Sequence, residues 1–359
     1  MNTTSRGSTV TASLARARGS IPVLVVSLWS ASYTLLGLLW ALGGPGYPFS
    51  AGTSAAPSTT VLGLLPQTVG ASTLAGLAVL SGILAVLLAR RRYPPAVSPG
   101  SAPATPAVTA VLAVTAGLLL AVLLTDSRIL TTMGYLPMII GAVLTGNLDP
   151  AKVAALMNWP SLNLLIMMVA GLSLAFLGMS RLLPRLRRAS PERALRVGQG
   201  AVIVAVAVPV VYAATRLGWV LGIPVGISDE FLASIEHITP IGAGLATFGL
   251  LGAVLTTGLV RPWGEVWPRW VPFLRGRAVP VRLPVYAAVA VAVPIASAGL
   301  MFIRLVLRGE QFGPPGAASQ PGAWLPEMLW PLWGAALTVA AVAYLVRRGH
   351  GLYLTGQGR

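Results

Sequence analysis

Tyr212–Pro224 reads YAATRLGWVLGIP, and 179 positions earlier Tyr33–Pro45 reads YTLLGLLWALGGP. Both stretches carry Tyr, then Leu five residues on, Trp seven on, Leu nine on, Gly ten on and Pro twelve on. Working outward, Ala75–Ala78 (AGLA) recurs as Ala243–Ala246, and Ala85–Leu87 (AVL) recurs at the same spacing as Ala253–Leu255. Pro106 and Pro284 each open an apolar block, as do Trp159-Pro160 and Trp330-Pro331. Matches in four successive blocks, in one order, predict a chain built of two like halves.

Of the 359 residues, 55% are hydrophobic and 9% charged. Water-soluble domains carry about 25% charged residues. The apolar residues fall into blocks of roughly 18–23, long enough to cross a hydrocarbon core of about 30 Å. The fold class expected is therefore all-α, a polytopic transmembrane helical bundle. Spans are placed at 21–42, 71–89, 107–125, 160–179, 197–215, 237–260, 284–307 and 329–346. Residues 1–20 are polar and expected to be disordered, and the block after them is too long for a signal peptide's apolar region and lacks a small-residue cleavage site. The Pro/Ser/Ala-rich segment 93–106 reads as a flexible or polyproline-like linker. Residues 21–188 and 189–346 are the two expected four-helix repeats, with 347–359 a tail.

Residues 129–146 (ILTTMGYLPMIIGAVLTG) are just long enough to cross as well. If they did, the next span would carry Arg181, Arg185, Arg187, Arg188, Arg193 and Arg196 out of the cytoplasm, against the preference of short-loop Arg clusters for the inner side. The segment is therefore expected to be interfacial or re-entrant, broken near Gly134 and Pro137. Eight spans with both termini cytoplasmic then place twenty of the 25 basic residues inside and seven of the nine acids outside. An even number of spans per half makes the repeat parallel, related by an axis along the membrane normal.

The net charge of +16 would suggest nucleic acid in a soluble chain. Here the Arg residues flank apolar blocks, so membrane orientation accounts for them and no nucleic-acid partner is expected. Cysteine is absent, which excludes disulfides and thiolate chemistry. No cofactor or metal site is expected: His237 and His350 are the only histidines and are predicted on opposite faces. No P-loop, nucleophile elbow or zincin motif is present.

Every acid lies at or beyond a predicted span end, which argues against a carrier with a mid-membrane carboxylate. Arg304 is the deepest charge, expected to snorkel outward and pair with Asp126 or Glu310. Tyr33, Trp40, Tyr212 and Trp219 fall near the outer ends of equivalent helices, where interfacial anchoring and the lining of a cleft between the halves are the two readings. Arg216 stands beside them, and its counterpart in the first half is Gly37. Glu230, Glu236 and His237 follow closely. With Arg216 they could bind a polar headgroup or do acid–base chemistry, although the bland alternative is a solvated mouth.

Arg261–Val281 reads RPWGEVWPRWVPFLRGRAVPV. Trp263, Trp267, Trp270 and Phe273 interleave with Arg269, Arg275 and Arg277, a mix suited to an anionic leaflet or to docking a cytoplasmic protein. This loop and the two Trp-x-Leu-Gly-x-Pro stretches resemble multi-pass membrane proteins of high-GC actinobacteria. The resemblance implies a bacterial cytoplasmic-membrane setting and contributes no catalytic residues. The function expected is a non-enzymatic permease-like or ligand-binding bundle, or the membrane subunit of an assembly. The rivals are a membrane-embedded enzyme acting on a lipid or isoprenoid headgroup, and a scaffold using the 261–283 loop.

Overall fold

The computed structural model describes residues 4–49, 59–90, 105–269, 271–310 and 313–354. The expected linker falls mostly outside the described residues, as do Trp270 and the last five residues. In chain order the helices are α1 (Thr4–Ala41), α2 (Gln67–Arg90), α3 (Thr105–Leu118), α4 (Arg128–Leu144), α5 (Pro150–Leu156) and α6 (Trp159–Leu186). They continue with α7 (Pro191–Val220), α8 (Asp229–Ile235), α9 (Thr239–Thr257), α10 (Arg282–Leu307), α11 (Pro321–Trp324) and α12 (Trp330–Leu354). No strand occurs among the described residues; the one isolated antiparallel bridge joins Val266 to Ala278.

Seven helical segments are long and apolar enough to cross a membrane, and the pair 107–123 and 128–144 raises the count to eight if it forms one span. Two differences from the sequence reading are plain. The first helix begins at Thr4 rather than near Ile21, and no proline lies between Thr4 and Pro22 to stop it. And α4 runs unbroken past Gly134 and Pro137; the interruption lies before it, where a π-helical turn at Leu119–Leu123 ends and Asp126 and Ser127 lead into α4.

The chain divides into two compact units, residues 1–125 with 150–184, and residues 126–149 with 185–359. In the first, α1 packs on α2 and α2 on α3. Close approach is bought with small residues: a Cβ on Gly37 would lie 2.8 Å from that of Ala75. Gly117 and Gly171 bring α3 and α6 to backbone contact, where a Cβ on either would strike the other's carbonyl oxygen. Val26, Leu84, Ala85, Leu88, Ala110, Ala113 and Leu174 form the core between these helices.

In the second unit α7 packs on α9 and on α12, α12 on α10, and α10 on α4. Gly334 lets α12 meet Ala292 and Ala296 of α10, and Gly299 does the same against Trp330 and Pro331. Helix starts follow local chemistry. Ser190 caps α7, its hydroxyl accepting from the Arg193 N–H with Pro191 in the first turn, and Ser228 caps α8 through the Phe231 N–H. Helix α8 buries Phe231, Leu232 and Ile235 on one face, as its spacing predicts.

Candidate functional site

The repeated motif turns out to be a helix-ending device. Gly43 and Gly222 take left-handed φ values of 86° and 76°, which terminates α1 and α7. The Trp three residues before each Gly folds back over the turn. Trp40 donates its indole N–H to the Pro45 carbonyl at 3.1 Å, and Trp219 donates to that of Val225, also at 3.1 Å. Both indoles are buried.

In the second unit this device carries a buried charge. Arg216 lies one turn after Tyr212 and one turn before Trp219, so the three share a face of α7. Its guanidinium sits 4.2 Å from the Trp219 ring centre and 4.8 Å from that of Tyr212. Nη1 donates to the Gly322 carbonyl at 3.1 Å, and Nη2 to that of Ala323 at 3.0 Å and to Glu327 Oε1 in a direct ion pair. Arg216 and Glu327 are each 7% exposed.

The acceptors come from an irregular run: the short α11, a 3-10 stretch Leu325–Leu329, and then α12. Pro321 and Pro326 deny that run regular helical donors. Gly226, at φ 72°, accepts from the Gly322 N–H at 2.7 Å, and neither glycine has room for a side chain against the other. Gln320 accepts the Ser228 N–H at 2.8 Å. Tyr212 meets Trp330 edge-on at 5.6 Å, and Trp330 meets Phe302 at the same distance. Glu327 Oε2, by contrast, is buried with no hydrogen-bond partner among the described residues. The nest is closed by packing around this oxygen.

The matching stretch of sequence in the first unit, Tyr33–Pro45, carries no charge. Gly37 stands at the position of the motif that Arg216 takes in the second stretch, and a Cβ there would lie 2.8 Å from that of Ala75. Tyr33 donates to Asn163 Oδ1 at 2.6 Å, and stacks at 5.1 Å on Trp29. It begins a ladder of edge-on rings running through Trp40 and Tyr47 to Phe49.

The other predicted residues are distributed as follows. Glu230, Glu236 and His237 are exposed along α8 and the turn after it. Asp126, fully buried, is held by Arg128 in a two-pronged pair, the shorter arm 2.7 Å. Arg304 is near enough to feel the Asp126 charge. Among the described residues, no three His, Cys, Asp or Glu are grouped to hold a metal ion. An apolar groove of about 460 Å³ lies elsewhere, between α1 and α2, lined by Ser30, Thr34, Gly82, Val86 and Arg90. Glu327 was missed by sequence reasoning because it is 111 positions from Arg216. The legible signal was the pair of prolines interrupting an apolar block that carries a carboxylate.

These apolar helices define a multi-pass membrane protein of the all-helical class. No family model, no curated protein and no solved structure matches the chain.

Proposed function

We propose that the chain is a non-enzymatic, permease-like or ligand-binding bundle of a bacterial cytoplasmic membrane, built of two parallel four-helix repeats with α4 lying along or re-entering the outer face. The observation that carries this reading is the Arg216–Glu327 nest. Charges buried at the end of a span are costly and are kept where a ligand or ion is handled. Broken helices that expose carbonyls to a charged group are the usual way membrane carriers build such places. The unpartnered Glu327 Oε2 is the point at which a donor ligand would bind.

The repeat is supported by like contacts inside each unit. The packing of α1 on α2 matches that of α7 on α9, and the glycine-tight crossing of α3 on α6 matches that of α10 on α12. On this reading both termini and the long Arg-rich loops face the cytoplasm, and membrane lipids are the immediate partners.

The chain has no cysteine, so one introduced thiol is unambiguous. In Ala323→Cys, a membrane-impermeant maleimide is expected to react from both faces of the membrane, and the Glu327→Gln background to shift the ratio of the two rates. Reaction from one face alone, unchanged by Glu327→Gln, would mean a static nest and would overturn the permease-like reading.

A further inference from the structure

The loop between α9 and α10 folds as a hairpin rather than a loose connection. Its neck is closed by Trp267 N–H to the Arg277 carbonyl at 2.9 Å, Gly276 N–H to that of Trp267 at 3.1 Å, and Val279 N–H to that of Glu265 at 2.8 Å. Its base is riveted to the end of α12. Glu265 pairs with Arg347 and Arg348, and Tyr344 donates to the Gly264 carbonyl at 2.8 Å. Gly264 itself presses so closely on Gly258 that no side chain fits there.

What this rigid base presents is unusual for a loop. Phe273 is 92% exposed and holds a left-handed φ of 65°, a conformation that bulky residues rarely adopt. Glycine would take that conformation without cost. Leu274 and Val266 are exposed beside it. Arg269 and Arg275 flank the tip and Arg277 stands at the neck; all three are exposed, and among the described residues none of the three is in an ion pair. The hairpin's own acid, Glu265, is already taken by Arg347 and Arg348.

Both legs of the hairpin leave apolar helices long enough to span, so its base lies at a membrane surface. From the neck at Trp267 to Phe273 is six residues, a reach of at most about 20 Å, within the headgroup and upper acyl region when the hairpin folds along the surface. An aromatic tip ringed by unneutralised Arg is complementary to anionic lipid, with the ring in the acyl boundary and the guanidinium groups on phosphates.

We infer that the 265–279 hairpin is a lipid-inserting finger that docks Phe273 into an anionic leaflet through Arg269, Arg275 and Arg277. The inference is independent of the Arg216–Glu327 nest.

The test uses the full chain in vesicles. Phe273→Cys, labelled with an environment-sensitive fluorophore, is reconstituted in phosphatidylcholine with or without phosphatidylglycerol. The expected result is blue-shifted emission, quenched by lipids brominated on their tails, in the anionic vesicles and much less in the neutral ones. Adding Arg269→Gln, Arg275→Gln and Arg277→Gln should reduce the inserted fraction, each charge contributing about five-fold. A label that stays open to aqueous iodide in both lipid mixtures overturns the inference. So does one protected in native membranes but untouched by brominated lipid, which would assign the tip to a protein partner instead.

Discussion

Arg216 binds two carbonyls, one carboxylate and two ring faces at once, so its removal strands several partners. The most damaging consequence is electrostatic. Arg216→Met leaves Glu327 buried without its counter-charge, and breaking a buried pair from one side costs about 3–5 kcal/mol. Glu327→Leu should cost less, since the carbonyls and rings still hold the guanidinium. The double variant should be more stable than Arg216→Met alone, because neither charge then remains uncompensated. Unfolding in detergent by graded denaturant checks this, and a double variant that loses the sum of the two single losses would refute it. Tyr47 offers a pH signature outside the spans. Burial pushes its phenol up to about 12, while its hydroxyl donates to the Leu62 carbonyl at 3.2 Å. Folding thus favours the neutral ring: its contribution is intact below about pH 10, the ordinary tyrosine value, and is lost as pH rises toward 12. Comparing alkaline unfolding of wild type with Tyr47→Phe isolates this ring from the other tyrosines. The variant should lose less stability over that range, while giving up about 1 kcal/mol at neutral pH with its hydrogen bond.

Helix crossings in both units depend on glycines whose neighbours are backbone, which cannot move aside as a side chain can. A Cβ on Gly117 would meet the Gly171 carbonyl and lie 2.6 Å from the Ala175 amide nitrogen. Gly117→Val should therefore exceed the roughly 1–3 kcal/mol usual for overpacking, whereas Gly76→Val on α2, with nothing within 4 Å, should stay within about 0.5 kcal/mol. Thermal unfolding of the two variants side by side is the check. Part of this scale lies open to sequence reading, although the expected fifth span ends at Thr215 whereas α7 runs to Val220. The shared Gly43 and Gly222 are the left-handed ends of α1 and α7, and the shared Trp40 and Trp219 bond the turns beyond them, so the motif described a local device readable within thirteen residues. What escaped was non-local. Nothing near Arg216 points to Glu327, which lies 111 positions further along the chain. The end of a helix can be read from the residues that make it, but a salt-bridge partner is chosen by packing.

For the molecule as a whole, the proposed repeat and the proposed site orientation rest on what α4 does. If residues 107–123 cross alone and α4 stays on one face, each half contributes four spans, both face the same way, and the Arg-rich segment 181–196 lies in the cytoplasm. If α4 crosses, the first half has five spans, the second half is inverted relative to it, and those six Arg residues lie outside, against the usual charge bias. Positions Thr131 and Asn147, near the two ends of α4, are both exposed, and Ala189 follows α6. Single cysteines there, in a chain that has none of its own, can be probed on intact cells with an impermeant maleimide. Thr131→Cys and Asn147→Cys should both label from outside, and Ala189→Cys only after the membrane is opened. Labelling of Thr131→Cys and Asn147→Cys from opposite faces would replace the parallel pair of halves with an inverted one. The Arg216–Glu327 nest would then need its outer-face assignment tested separately, since every span after α4 would have its direction decided by that crossing.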